Sequence, residues 1–112
     1  MTAAQSARNS PIIKKDMITI EEFAVLRLAL AKWGEESQMG MAIEECAEFI
    51  VACRKLSRVG GREIKPEAQS AFVDEIADVI VMMLQMSIIV GQEPVIDRIQ
   101  YKINRLKGRL EN

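Results

Sequence analysis

The sequence predicts an all-α protein, a bundle of four helices whose cover is completed by oligomerisation. Three observations predict it. Apolar residues recur at spacings of three and four along four stretches, helix start and stop signals fall between those stretches, and no segment alternates with strand periodicity for long. A length of 112 residues suits one domain and is too short for two self-sufficient cores. With 49% apolar and 28% charged residues the composition is globular.

Residues 1–18 read as a flexible N-terminal leader with no continuous apolar core of a signal peptide, and 19–112 as the helical domain. Thr19 followed by Glu22 has capping-box spacing and opens a first helix over 20–33, which meets Gly34. A second spans about 35–58 and ends in basic residues ahead of Gly60, as the helix dipole favours. Pro66 suits the first turn of a third helix that runs to Gly91. The fourth, about 94–110, repeats Val95, Ile99, Ile103, Leu106 and Leu110 as one stripe.

Composition excludes several functions. A net charge of −1 lacks the basic footprint that duplex nucleic acid selects, so no nucleic-acid partner is expected. The absence of histidine removes the usual general base, histidine-supported nucleophiles and imidazole zinc sites. Cys46 and Cys53 lie roughly 10 Å apart along one helix, too far for a disulfide, and are expected as buried, reduced thiols of a cytoplasmic protein. The apolar run Ala71–Val90 would span a membrane but for Asp74, Glu75 and Asp78, each opposing insertion by roughly 2.5–3.5 kcal/mol at the centre.

On a helical wheel the second helix gathers Met39, Ala42, Ile43, Cys46, Phe49, Ile50, Cys53 and Leu56 on one face, with Glu45 and Glu48 at its edges. Glu44 points the other way and reads as a solvated acid. The third helix is apolar on most sides, leaving one narrow polar arc of Asp74, Glu75, Asp78, Met82 and Gln85. A helix this apolar calls for burial beyond what four helices supply, so a homodimer or tetramer is expected, with this helix near the interface.

Glu45, Glu48, Glu75 and Asp78 have no Lys or Arg three or four residues away. Within each pair the nearest charge is another acid. Hard oxygen ligands converging from two helices suit magnesium or manganese, which share their coordination shells with substrate phosphates. Phosphates also call for cations, and Arg98, Lys102, Arg105 and Arg109 form a basic stripe on the fourth helix, with Lys102 and Arg105 the stronger candidates.

Glu44-Glu45-Cys46-Ala47-Glu48 matches EExxE and Glu75-Ile76-Ala77-Asp78 matches ExxD. Together they resemble the paired signature of MazG-like nucleotide pyrophosphohydrolases, over about residues 30–110. The late Lys102-Ile103-Asn104-Arg105 is similar too. The resemblance implies an all-α fold with helices from two subunits in the bundle, magnesium held by Glu45, Glu48, Glu75 and Asp78, and hydrolysis of (deoxy)nucleoside triphosphates to the monophosphate and pyrophosphate. Gln38, Trp33 and Met41 lie near the first motif and are candidates for the base or sugar. Few aromatics and no histidine flank the site, so loose base selectivity is expected. A non-catalytic oligomerisation or nucleotide-sensing module is the competing function, and a phosphoribosyl-ATP pyrophosphatase a further one.

Overall fold

The computed structural model describes residues 18–60 and 62–111. All of the leader except Ile18 therefore lies outside the described residues. These contain four helices and no strand: α1 (Ile20–Trp33), α2 (Glu35–Ser57), α3 (Pro66–Val90) and α4 (Gln92–Glu111). The all-helical class and element order match the sequence expectation. The last helix begins two residues before Pro94, which still lies in its first turn, where a missing N–H costs no helical hydrogen bond.

Local chemistry accounts for each boundary. The Thr19 hydroxyl accepts from the Glu22 N–H at 3.0 Å while a Glu22 carboxylate oxygen accepts from the Thr19 N–H at 3.1 Å, closing the capping box. Gly34, at φ 89° and ψ 153°, ends α1 and starts α2 without any intervening loop. Its N–H donates to Leu30 O at 2.9 Å, and its carbonyl accepts from the Gln38 N–H at 3.1 Å. Gly91, at φ 92°, makes the same one-residue joint between α3 and α4. Pro66 occupies the first turn of α3 after an extended Lys65.

Helices α2 and α3 make the principal packing contact and run antiparallel, as the stacked rings of Phe49 and Phe72 at 5.8 Å and the meeting of Glu45 and Glu48 with Glu75 require. Helix α1 lies across this hairpin, with Val25 and Leu26 bordering a cleft against Val81 and Leu84 of α3. Among the described helices, α4 contacts α3 alone.

The burial pattern departs from the wheel. The side chains of α2 and α3 most hidden in the chain are Gln38, Ala42, Met82, Gln85 and Ser87, a largely polar seam. The faces predicted to be core are covered only in part: Ala42 is buried and Phe49, Leu56, Phe72 and Leu84 are half-buried, but Ile43 is 70% and Ile50 62% exposed on α2, and Val73, Val81 and Met83 are exposed on α3. Cys46 and Cys53 are free thiols but only half-buried, because the face they share lacks a cover within the chain. Among the described residues no side chain is less than 2% exposed. No helix there is long and apolar enough to cross a membrane.

Candidate functional site

The central turns of the α2–α3 hairpin carry the acids. Glu45 and Glu48 project from successive turns of α2, and the antiparallel packing sets Glu75 of α3 against them. One carboxylate oxygen from each of the three lies within 4.8 Å of the others. Glu45 and Glu75 are half-buried and Glu48 is exposed. Glu45 Oε2 and Glu75 Oε2 are shielded from water with no hydrogen-bond partner.

That placement raises the proton affinity of two of these acids. Glu45 titrates above its ordinary value, first because its carboxylate loses water, then because Glu48, Asp78 and Glu75 repel its charge, and finally because it shares a hydrogen bond with Glu48. Glu75 is raised by the same loss of water and then by the charges of Glu48, Asp78 and Asp74. Among the described residues no basic group forms an ion pair with them; the ion pair that forms there is Lys107–Glu111 at 4.0 Å, far along α4. Asp78 is exposed and stands outside the tight set of three oxygens, close enough to act on Glu45 and Glu75 through its charge.

A trio of hard oxygens from two helices, with two orphaned acceptors, has the donor chemistry of a divalent-cation site. The residues fit such an ion.

The chain matches no protein-family model, no curated protein and no solved structure.

The other candidate residues separate from the acids to different degrees. Gln38 is buried two turns before Glu45 on α2, and Gln85 is buried two turns after Asp78 on α3, so an amide layer lies further along the same seam. Gln85 Oε1 has no partner. Lys102, Asn104 and Arg105 are exposed on α4, which touches neither α1 nor α2, and within one chain they do not join the acid cluster. Arg98 lies over the ring of Tyr101 at 4.4 Å. Trp33 is exposed, with Lys32 5.5 Å above its ring, and Met41 is exposed.

The motifs gave no sign of the groove that opens beside the acids. Its walls are Glu48, Val51, Ala52 and Lys55 of α2 and Ala68, Ala71, Phe72 and Glu75 of α3. Each set has i, i+3, i+4, i+7 spacing, which marks one helical face, but only the antiparallel register makes the two faces meet.

Proposed function

We propose that the protein is a Mg²⁺-dependent pyrophosphohydrolase that converts (deoxy)nucleoside triphosphates to the monophosphate and pyrophosphate. The observation that carries this proposal is the convergence of Glu45, Glu48 and Glu75 within 4.8 Å with two carboxylate oxygens orphaned. Like charges held this way are unfavourable unless something positive resolves them. The pairing of EExxE with ExxD adds the reaction class.

Magnesium, or manganese in its place, supplies Lewis acidity toward phosphoryl oxygens and acidification of water. Glu45, Glu48 and Glu75 would hold the cation. Asp78, one turn on from Glu75, serves as a further ligand or as the acceptor for the proton of the attacking water. The water oxygen bonds to the α-phosphorus, the bond from that phosphorus to the α–β bridging oxygen breaks, and pyrophosphate leaves with the bridging oxygen. Gln38 stands two turns along the seam as a candidate substrate contact. Lys102, Asn104 and Arg105 reach phosphates only if α4 of a second copy brings them.

Such a second copy is part of the proposal. The outward apolar faces of α2 and α3 need covering, and a homodimer or tetramer of this chain covers them by completing the bundle. The cytoplasm, reducing and rich in nucleotides, is the compartment proposed, since it keeps Cys46 and Cys53 as thiols.

The test is pyrophosphate release from a nucleoside triphosphate panel with and without Mg²⁺. Glu48→Ala is expected to lower turnover at least about 100-fold with the oligomer intact. If a folded wild type releases no pyrophosphate with any nucleotide or metal, the proposal is wrong. A partner-binding defect in Glu48→Ala without any wild-type turnover would point to a non-catalytic module.

A further inference from the structure

The groove beside the acid cluster has a volume of about 340 Å³, inside the range of roughly 300–1,000 Å³ common to small-molecule sites. Its existence has a simple cause. At Ala52, Ala68 and Ala71 the facing stripes carry only a methyl group, so α2 and α3 leave space between them where larger side chains would interdigitate. Phe72 lines the groove, and its ring is held by stacking on Phe49 at 5.8 Å. Both ends are charged. Glu48 and Glu75, two of the three clustered acids, belong to the groove as well, and Lys55 stands seven residues beyond Glu48, about 10 Å along the helix.

We propose that this groove binds the base of the nucleoside triphosphate, with Lys55 donating a hydrogen bond to a ring carbonyl. It rests on the assignment of the acid cluster to a metal-bound triphosphate. Continuity carries it: a substrate whose phosphates meet Glu48 and Glu75 through a cation has its nucleoside at the mouth of a slot lined by the same two residues. The lining chooses between the ends of the substrate. Between the acids and Lys55 lie Val51, Ala52, Ala71 and Phe72, an open apolar strip whose side chains offer a polyphosphate no hydrogen-bond partner but suit one face of a flat, weakly polar ring.

Lys55 sets a specificity of limited strength. An ammonium group has three donors and no acceptor, so it favours a base presenting a carbonyl oxygen. Guanine and cytosine carry one and thymine and uracil two; adenine carries none. The groove therefore accepts all bases and ranks adenine last, by about three- to tenfold in kcat/KM, the range of one exposed hydrogen bond.

The test uses the full chain with methyl-labelled alanines and Mg²⁺. One titration adds a deoxyguanosine triphosphate with a non-hydrolysable α–β link, the other inorganic tripolyphosphate. Ala68 reports on the far end of the groove, and Ala47 and Ala77 report on the acid motifs. Both ligands are expected to shift Ala47 and Ala77, but only the nucleotide Ala68. Ala71→Leu, which fills the slot, is expected to raise KM about tenfold or more with little change in kcat. Lys55→Met is expected to erase the handicap of dATP. If Ala68 ignores the nucleotide, or follows tripolyphosphate equally, the groove is not the base site, although Mg²⁺-dependent pyrophosphate release would leave the hydrolase standing. If neither ligand moves any reporter and no pyrophosphate forms, both proposals fall. An Ala68 methyl already shielded from a soluble relaxation agent in the free protein would assign the groove to a second copy and also overturn this inference.

Discussion

Under the proposed function, protons and Mg²⁺ would compete for the same atoms at Glu45 and Glu75. Both carboxyls have folded-state pKa values raised above 4.5, so the folded chain binds protons there more tightly than the unfolded chain does. The stabilising effect of these protons is complete below 4.5 and is lost as pH rises through the raised values. Without divalent cations, the contribution of this cluster to Tm should therefore increase as pH falls from neutrality toward 4.5. Mg²⁺ should raise Tm most at the neutral end, where fewer protons compete for Glu45 and Glu75. Glu45→Gln should raise the metal-free Tm at neutral pH while weakening Mg²⁺ binding, which calorimetry would detect. A metal-free Tm for Glu45→Gln below that of the wild type would show that repulsion does not dominate there. The acids were legible in the sequence because their spacing fixed their faces and the lack of basic neighbours marked them. Lys55 and the alanines of the groove were not, since nothing at 48–55 indicates what faces it until the hairpin register is known.

At the scale of elements, the chain changes direction twice without a loop. Gly34 and Gly91 take positive φ with extended ψ, a region that side-chain-bearing residues essentially avoid. Gly34→Ala meets no atom within 4 Å, so its penalty isolates backbone strain. It should cost about 1–3 kcal/mol, measured by denaturant unfolding at fixed protein concentration. Removing the Thr19 hydroxyl by Thr19→Ala should cost about 1 kcal/mol by the same assay, through the bond lost from the Glu22 N–H at the start of α1. Both features were readable, because glycine and the Thr-x-x-Glu spacing act within a few residues of themselves. The start of α4 was less so, since Pro94 fits the first turn as well as the first residue.

For the whole molecule, the helical faces predicted from periodicity are apolar as expected, but the chain covers them only in part. Ile43, Ile50, Val73, Val81 and Met83 are exposed, whereas Gln38 and Gln85 are hidden. Periodicity reports that a face seeks burial and is silent on which chain buries it. Ile43→Asp, at a position 70% exposed in the single chain, should be nearly neutral if the chain acts alone. Covered by a second copy, the same change should break the assembly to monomers, as sedimentation velocity would show, and lower Tm with it. An unchanged sedimentation coefficient would place Ile43 outside any interface.

The one-residue joints also decide where this chain can change length. An extra residue at Gly34 or Gly91 would have to continue a helix, turning everything beyond it by about 100° and moving it about 1.5 Å, or else make a loop where none exists. Either outcome changes the phase of α1 against the hairpin or of α4 against α3. The connection between Ser57 and Pro66 carries no such phase, because its exposed residues join two helices whose register is set by their own packing. Insertions that the fold tolerates should therefore gather at 60–65, leaving the acids aligned while the opposite end of the hairpin stays fixed in length.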